Sequence, residues 1–468
     1  MRSPIGAKRF LERLRLRQVL TPHSGSKGHF RLKENEILSG KYLIEKFLDH
    51  GSYGQVASCL NLATNEKVAL KILRNDLPGV GKKEVFILKK LRKLDQDHVV
   101  KFTEHFKHEG HYCLVFEMLD MNLHHFMRLS RFKPLCLCTI REITQQMLVA
   151  LNALKSIGLV HSDLKTDNIM LVNHQSQPLK VKMIDFGLAK EVSKIFPGTT
   201  IQATGYRAPE VILGLPMNEG VDMWSLGCIM AFMYLGRHLY PLDSEYEVIR
   251  VLLQMQGQPD DYLLNSGTKT ENFFSKETDS PNPSWKLKTR AQYRMTTGLR
   301  AKRCKNVYDT LTSLDDIEKI RRGEKDATKH TDTQAFLSLL KQMLHVDPAK
   351  RITPSEALGH CFITKKHMPC DTNNKPKQSS VAAGTKDEPP ATAHRTTAGT
   401  NDGPPAKARL NEATAAGTKK RPPSDGVSFV EVKTQKKFLK WAREFSSRKI
   451  KLICCCKVDL TVERHTAI

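Results

Sequence analysis

Four polar residues between positions 163 and 185 have the side chains and the order that phosphoryl transfer requires. A carboxylate such as Asp163 can orient an attacking hydroxyl and accept its proton, while the Lys165 ammonium offsets charge on the moving phosphoryl group. Asn168 and Asp185 supply hard oxygen atoms, which magnesium prefers as ligands. We therefore predict catalytic roles for Asp163, Lys165 and Asn168, and metal ligation by Asn168 and Asp185.

Three motifs in a fixed order surround these residues. They are His-Ser-Asp-Leu-Lys-Thr-Asp-Asn at 161–168, Asp-Phe-Gly at 185–187 and Ala-Pro-Glu at 208–210. Either triplet alone is a weak signal, since it also occurs in turns or at helix starts. Together the motifs resemble the catalytic loop, metal motif and activation-segment end of protein kinases. The resemblance implies an α+β fold with two lobes, a small antiparallel β-rich lobe and a large helical lobe, and it implies ATP and Mg²⁺ as cofactors.

The upstream segment supplies the partners that such a site needs. Residues 47–56 read Phe-Leu-Asp-His-Gly-Ser-Tyr-Gly-Gln-Val and precede a strand-like stretch that contains Lys71. This pattern resembles the glycine-rich loop and the strand lysine of kinases. Glu84 lies beside apolar residues at helical spacing, so we predict that it pairs with Lys71. The alternative for Glu84 is a solvated charge on the helix surface.

The same resemblance assigns the rest of the nucleotide site. The apolar strand at 111–116 would end in the hinge, where the backbones of Glu117 and Leu119 would bond the adenine edge. Phe116 would be the gatekeeper, and ordinary core packing is compatible with that role. The predicted ATP-binding residues are Leu48, Gly51, Gly54, Val56, Ala69, Lys71, Glu84, Phe116, Glu117, Leu119, Met170 and Asp185.

The glycine-rich loop departs from the kinase pattern at one position. Asp49 stands where the first glycine is usual. A carboxylate close to a triphosphate is electrostatically unfavourable, and aspartate lacks the backbone freedom of glycine. We therefore expect Asp49 to weaken ATP binding more than it affects the chemical step.

Further motifs narrow the resemblance to one family. Arg207 directly before Ala-Pro-Glu is typical of the group that contains the dual-specificity Tyr-regulated kinases, where it favours proline after the phosphorylated residue. Residues 114–119, 212–216, 236–241 and 262–270 together with Ser162 resemble the homeodomain-interacting protein kinases. The match covers about residues 36–363, and we identify the chain as a short, divergent member of that family.

The activation segment carries the residues that the resemblance links to substrate binding and regulation. This family has a self-phosphorylated tyrosine at the position of Thr200. Ser162 replaces the arginine that usually binds an activation-loop phosphate in kinases. We therefore expect phosphate-dependent switching to be weak or absent. Glu210 is expected to form a buried ion pair with Arg351, and Asp222 to bond the catalytic-loop backbone. The predicted substrate and activation-segment residues are Thr200, Thr204, Arg207 and Glu210.

Length and composition are compatible with this assignment. The chain has 468 residues, 40% of them hydrophobic and 26% charged, which is enough to bury a large core. The 11 cysteines lack zinc-ligand spacing, and no signal-peptide pattern opens the chain. We expect reduced, intracellular thiols. Since no apolar run has the length of a membrane span, we expect a soluble protein unless a lipid anchors it.

Composition also divides the chain into parts. The first is basic with little patterning, the second alternates strand and helix periodicity, the third is rich in Pro, Thr, Ala, Gly and Lys, and the fourth is basic and amphipathic. The predicted parts are a flexible arm at 1–35, the kinase domain at 36–363 (small lobe and hinge 36–119, large lobe 120–363), a disordered linker at 364–426 and a tail at 427–468.

The tail ends in a basic segment followed by three adjacent cysteines, Cys454, Cys455 and Cys456. Such thiols are sites where reversible palmitoylation occurs, and an acyl chain plus a polybasic patch can hold a protein at a membrane surface. A Lys-Lys-Arg-Pro run at 419–422 favours nuclear import instead, and an unmodified, solvated tail is a third interpretation. We expect the nucleus and the cytoplasm as locations, with lipid anchoring as an alternative.

Three functions compete at this point. The first is an ATP-dependent protein kinase that acts on Ser or Thr, directed to Ser-Pro and Thr-Pro sites in protein substrates such as transcription regulators. Tyrosine phosphorylation would be secondary, because Lys165 is the Ser/Thr-type residue. The second is a pseudokinase scaffold, motivated by Asp49. The third is a basic membrane- or nucleic-acid-associated adaptor, suggested by the net charge of +25, although no direct nucleic-acid site is identified and the oligomeric state is open.

Overall fold

The computed structural model describes residues 28–77, 79–94, 97–277, 284–302, 311–320 and 327–366. The first part of the chain builds an antiparallel sheet of six strands. Its spatial order is β1-β2-β3-β4-β6-β5. The strands are β1 (Ile37–Leu38), β2 (Tyr42–Gly51), β3 (Gly54–Asn61), β4 (Glu66–Leu73), β5 (Phe102–His108) and β6 (His111–Glu117). Alternating burial along β4 matches the apolar alternation that predicted this strand.

One boundary of the small lobe differs from the prediction. The flexible arm was predicted to extend to residue 35, but Phe30 is buried with 6% of its surface exposed. Its ring lies 5.4 Å from the His111 ring, and the Asn35 backbone N–H donates to Ile44 O at 2.8 Å. Residues 28–35 of the predicted arm therefore belong to the small lobe. Residues 1–27 lie outside the described residues.

Among the described residues, one helix packs against the sheet. Helix α1 (Val80–Leu91) begins after Gly79, whose φ of 82° lies in the left-handed region that glycine adopts readily. Val85, Leu88 and Leu91 are buried along one face, as their spacing predicted. Glu84 is buried beside them, so the helix carries a carboxylate toward the end of the sheet that faces the large lobe.

The large lobe is mainly helical. Its helices are α2 (Leu123–Leu129), α3 (Leu137–Ser156), α4 (Pro209–Leu213), α5 (Gly220–Leu235), α6 (Glu245–Gln256), α7 (Asp261–Ser266), α8 (Thr270–Phe273), α9 (Arg290–Thr297), α10 (Asp316–Lys319), α11 (Ala327–Met343), α12 (Pro354–Gly359) and α13 (Cys361–Thr364). Helix α5 is apolar on all sides and buried from Val221 to Leu235, as expected for a helix at the centre of a core. The predicted two-lobed kinase fold is confirmed.

Short strands and 3₁₀ turns hold the loops between α3 and α4. The strands are β7 (Leu159–Val160), β8 (Ile169–Asn173), β9 (Gln177–Met183) and β10 (Lys190–Glu191), which pair as β7 with β10 and β8 with β9. The two pairs are antiparallel and enclose the catalytic loop and the Asp-Phe-Gly motif. A further hairpin, β11 (Phe274–Glu277) with β12 (Ser284–Leu287), follows α8.

The cysteines differ from the expectation of reduced thiols at one place. Cys136 and Cys138 form a disulfide at the start of α3, whereas Cys59, Cys113 and Cys228 are buried free thiols. The pairing had no signal in the sequence beyond the short spacing of the two residues. Among the described helices, none combines the length and the apolar character of a membrane span.

Candidate active site

Lys71 joins the small lobe to the metal motif. It lies on β4 and Glu84 on α1, and Lys71 Nζ is 2.6 Å from Glu84 Oε1. The same Nζ atom is 2.8 Å from Asp185 Oδ1. The contact between Lys71 and Glu84 is the one the sequence predicted, and the exposed fraction of the Glu84 side chain is only 1%, so the surface-charge alternative does not describe this residue.

The charge state of this cluster follows from its contacts. Burial lowers the pKa of Lys71, but Glu84 and Asp185 outweigh that effect and raise it. Desolvation would raise the pKa of Asp185, yet the Lys71 ammonium lowers it to about 2. Near neutral pH the cluster therefore contains a lysine that stays protonated and a carboxylate at Asp185 that stays ionised.

The three predicted catalytic residues lie together in the catalytic loop. Lys165 Nζ is 2.7 Å from Asp163 Oδ2. Asn168 Nδ2 donates to Asp163 O at 2.8 Å and to Asp163 Oδ2 at 3.2 Å. Because the Asn168 amide nitrogen is directed to Asp163, the other atom of that amide, Oδ1, is left as an acceptor for a cation.

A buried scaffold supports the loop from below. Asp222 on α5 accepts the backbone N–H groups of His161 at 2.6 Å and Ser162 at 3.1 Å. The His161 ring accepts from Asp163 N at 3.2 Å through Nδ1 and donates to Ile184 O at 2.9 Å through Nε2. The predicted contact between Asp222 and the loop backbone is therefore present, and His161 additionally links the catalytic loop to the residue before Asp185.

The predicted nucleotide-binding residues lie on the sheet, the hinge and β8 and differ in exposure. Val56, Ala69, Phe116 and Met170 are all half-buried, which is the exposure expected of apolar side chains that face a cleft. Leu119 is buried, with 8% of its surface exposed, whereas 40% of the Leu48 surface is exposed. In the β2–β3 hairpin Gly51 lies opposite Gly54. A side chain at Gly54 would place its Cβ 2.3 Å from Ile72 O, so this glycine is required by a close backbone approach.

Asp49 lies in the same hairpin. It is opposite Val56 in the register of β2 and β3, and its carboxylate accepts the backbone N–H of His50 at 2.8 Å. Residues directly opposite in an antiparallel pair lie close together. Asp49 is thus adjacent to a residue of the predicted nucleotide site, and its effect on ATP stays a prediction.

The activation-segment residues occupy different environments. Glu210 and Arg351 form a fully buried ion pair with N–O distances of 2.6 and 2.8 Å, in the contact that was predicted. Arg207 Nη1 is 2.6 Å from Glu245 Oε1. Thr200 is exposed and accepts from Lys269 Nζ at 3.3 Å. Thr204 is half-buried in a 3₁₀ turn, Thr204–Tyr206.

Sequence reasoning missed several residues that position this site. The Thr166 hydroxyl contacts the Tyr206 hydroxyl at 3.1 Å, and the Gln202 side chain is buried among backbone groups. Lys182 Nζ bonds the Glu117 side chain at 2.6 Å and so ties the hinge to β9. Thr166 and Tyr206 are 40 positions apart in the sequence, and Lys182 and Glu117 are 65 positions apart. No local spacing could therefore have indicated these contacts.

The arrangement fits a magnesium–nucleotide complex. Asp185 is an ionised carboxylate that is half exposed, with 44% of its side chain accessible. Asn168, at the end of the catalytic loop, offers an amide oxygen. Carboxylate and amide oxygens with open positions suit Mg²⁺ bound to phosphates. Asn168 and Asp185 would hold the metal, which supplies positive charge to the phosphates. Among the described residues no cluster of three or more His, Cys, Asp or Glu forms a protein-only metal site.

Fold and site together define the class of this protein. The protein kinase domain family model matches residues 42–363, which is more than half of the chain and includes the glycine-rich loop, the catalytic loop, Asp-Phe-Gly and Ala-Pro-Glu. The chain belongs to the protein kinase family, whose members take ATP with Mg²⁺ as the usual metal.

Within that family the chain is similar to the homeodomain-interacting protein kinases, as the motifs predicted. It is 45% identical to homeodomain-interacting protein kinase 2 of Mesocricetus auratus over 357 residues, which are 74% of this chain and 30% of that relative. It is 42% identical to homeodomain-interacting protein kinase 1 of Caenorhabditis elegans over 73% of this chain and 43% of the relative. Identity to human homeodomain-interacting protein kinase 4 is 39% over 70% of this chain and 56% of the relative. The chain thus spans between 30% and 56% of the length of these proteins.

Proposed function

We propose that this chain is an ATP- and Mg²⁺-dependent protein kinase that phosphorylates Ser or Thr in protein substrates. The observation that carries the proposal is the contact of Lys71 with both Glu84 and Asp185, at 2.6 and 2.8 Å. That contact orients a protonated amine and an ionised carboxylate toward the cleft between the lobes. Such positioning is the main requirement for phosphoryl transfer, in which the protein supplies geometry and charge.

The residues divide the chemistry among them. Asp163 orients the substrate hydroxyl and accepts its proton, with its carboxylate held by Asn168 and Lys165. Lys165 also carries the positive charge that stabilises the transferred phosphoryl group, and Lys71 holds the nucleotide phosphates. His161 and Asp222 fix the loop backbone from the buried side, so that Asp163 has one orientation. The hinge backbone at Glu117 and Leu119 is proposed to bind the adenine edge.

A direct test compares wild type with Asp163→Asn in phosphorylation of a generic Ser-Pro peptide. We expect Asp163→Asn and Asp185→Asn each to remove most of the transfer with the fold intact, and the double variant to lose little more, because residues that act as a unit are not additive. Asp97→Asn is the matched control, since Asp97 is a surface carboxylate with 64% of its side chain exposed. Full activity of either single variant at the site would refute the roles proposed for Asp163 and Asp185, whereas no transfer by wild type would favour the scaffold alternative.

Substrate choice is proposed to depend on Arg207. Its guanidinium is held in a defined position by Glu245 and by two backbone carbonyls. We propose that this position lies below the site for the residue that follows the phosphorylated Ser or Thr. The expected result is a preference for Ser-Pro over Ser-Ala peptides that falls in Arg207→Ala. The ratio of kcat/KM for the two peptides is the measurement, because a general loss of activity cancels in it. No proline preference in wild type would contradict the proposal.

The location and partners of the chain are also proposals. The relatives are named for interaction with homeodomain proteins, so transcription regulators are proposed as substrates, and the nucleus and the cytoplasm as locations. Cys454, Cys455 and Cys456 lie outside the described residues. Their acylation is tested by acyl-exchange labelling and imaging of the full chain beside the triple Ser variant. Unlabelled cysteines with an unchanged distribution would eliminate a lipid anchor, and loss of nuclear signal on changing residues 419–421 would support import.

A further inference from the structure

A buried side-chain amide connects the activation segment to the large lobe. Gln202 is only 5% exposed, and its φ of 66° is unusual for a residue other than glycine. Its Nε2 donates to Val221 O at 2.7 Å and to Ser225 Oγ at 2.9 Å. Its Oε1 accepts the backbone N–H of Ala208 at 3.0 Å. The amide therefore bridges α5 and the start of α4, and both of its polar atoms are bonded.

The Gln202 backbone makes two more contacts of the same kind. Its N–H donates to Ser162 O at 2.8 Å, which ties the segment to the catalytic loop. Its carbonyl accepts from Arg207 Nη2 at 2.6 Å. One residue thus links the catalytic loop, the activation segment and helix α5, and the Ser225 hydroxyl extends the network by donating to Tyr206 O at 3.0 Å. A fully bonded buried network of this type fixes one backbone arrangement.

Ser162 and Arg207 offer no unbonded cation to a phosphate on the activation segment, whereas Lys269 is a cation beside Thr200. Kinase activation segments are commonly ordered when a phosphate pairs with arginine. Here Ser162 is completely buried and uncharged, and its Oγ has no hydrogen-bond partner among the described residues. All three nitrogens of Arg207 donate to Ile201 O, Gln202 O and Glu245 Oε1. Thr200 faces Lys269, an exposed surface contact.

We propose that Gln202 is a positioning residue that holds the activation segment in its working arrangement while the segment is unphosphorylated. The hydrogen bonds of its side-chain amide fix the segment, as an arginine–phosphate pair does in phosphorylation-dependent kinases. The proposal rests on the protein kinase function argued above and adds to it how the segment is regulated. The kinase is then active without phosphate on this segment.

The first test measures activity with and without phosphate on the segment. The full chain is treated with a phosphatase, which is then removed, and mass spectrometry verifies that Ser193, Thr199, Thr200, Thr204 and Tyr206 are unmodified. Activity of the untreated chain above that of Asp163→Asn tests the kinase function itself. The ratio of treated to untreated kcat/KM on a Ser-Pro peptide tests this proposal. We expect a ratio within about twofold of one. A fall of about tenfold or more, reversed by rephosphorylation, would overturn it.

The second test changes the amide. Gln202→Glu keeps the size of the side chain but removes the donor to Val221 O and Ser225 Oγ, which leaves buried acceptors unpaired. We expect kcat/KM for the peptide to fall about tenfold or more, while the dissociation constant for ATP, measured by titration, stays within about twofold. Gln175→Glu is the control, because Gln175 is exposed in the β8–β9 turn.

The two readouts separate positioning from general damage. Wild-type peptide kinetics in Gln202→Glu would overturn the assignment, and so would a loss of ATP affinity that equals the loss in peptide kcat/KM. Gln202→Leu, which removes both the donor and the acceptor, is expected to show a loss at least as large. If neither variant folds, the phosphatase ratio on the wild-type chain decides the proposal alone.

Discussion

At the scale of single residues, Lys71 contacts two carboxylates at once, and this shared contact sets the charge of the nucleotide site. Glu84 is buried on α1 and fixes the amine, whereas Asp185 is half exposed and faces the cleft. One lysine therefore couples the helix position to the metal-binding residue. A charge-changing substitution of Lys71, Glu84 or Asp185 therefore alters the electrostatic environment of the other two residues.

The lowered pKa of Asp185 predicts a pH dependence of stability. The folded-state pKa of about 2 lies below the ordinary aspartate value of 3.8, so ionisation of Asp185 favours the folded state. This contribution is present above about pH 4 and is lost as the pH falls toward 2. We expect the free energy of unfolding of wild type to exceed that of Asp185→Asn by more at pH 6 than at pH 2.5. Urea denaturation at both pH values measures this, and a difference that does not vary with pH would contradict it.

Asp49 gives a second prediction at this scale. Because its carboxylate lies in the hairpin opposite Val56, replacing it with glycine should remove a repulsive charge near the phosphates. We expect Asp49→Gly to lower the KM for ATP about two- to fivefold, with a smaller change in kcat. Glu109→Gly is the matched control, since Glu109 is an exposed carboxylate in the β5–β6 turn with a positive φ. An unchanged KM in steady-state kinetics would place the Asp49 carboxylate away from the nucleotide.

At the scale of elements, the catalytic loop and the activation segment meet through side chains as well as backbone. Thr166 lies one residue after Lys165 and is completely buried, and Tyr206 closes the 3₁₀ turn before Arg207 with 4% of its surface exposed. Their hydroxyls lie 3.1 Å apart. The Tyr206 ring also packs edge-on against His238 at 5.6 Å. The two segments are therefore bonded at a point between the catalytic lysine and the substrate platform.

A double-mutant cycle tests this connection. Thr166→Val and Tyr206→Phe each remove one hydroxyl with little change of shape, and each leaves the other hydroxyl buried without its partner. We expect each single variant to lose about 1–3 kcal/mol of stability and the double variant to lose less than the sum, with a coupling of roughly 0.5–1.5 kcal/mol. Thermal and urea unfolding of the four proteins give these values. Additive losses would show that the hydroxyls do not interact.

The sequence predicted the elements better than their contacts. Asp163, Lys165 and Asn168 are close along the chain, and Val85, Leu88 and Leu91 follow a helical period, so motif and periodicity sufficed for them. The resemblance also indicated the pairing of Glu210 with Arg351. Gln202 left no such signal, because its partners lie on α5, about 20 residues further on, and a lone glutamine has no characteristic pattern. Phe30 was missed because one apolar residue in a basic stretch carries no periodicity.

At the scale of the whole molecule, the net charge of +25 describes solubility and non-specific association rather than the fold. The described residues are held together by contacts that close long stretches of chain. Glu210 and Arg351 are 141 positions apart, and both side chains are fully buried. Arg351 also donates to Gly220 O at 2.9 Å and to His345 O at 3.0 Å, and it lies over the Trp224 ring at 5.3 Å. The pair thus fixes the end of the activation segment to the region between α11 and α12.

This pair predicts an asymmetric response to mutation. Glu210→Gln leaves the Arg351 charge buried without its counter-ion, so we expect a loss of about 3–5 kcal/mol in the free energy of unfolding. Replacing both residues with apolar ones, in Glu210→Leu with Arg351→Met, removes both charges and should recover part of that loss. Because the pair is shielded from solvent, the loss should change little between low and high salt. Urea unfolding at two salt concentrations measures all three expectations. Lys286→Met is the control for a surface ion pair, because it breaks the exposed pair between Lys286 and Glu277. A loss in Glu210→Gln no larger than that in Lys286→Met would show that burial does not govern the Glu210–Arg351 contact.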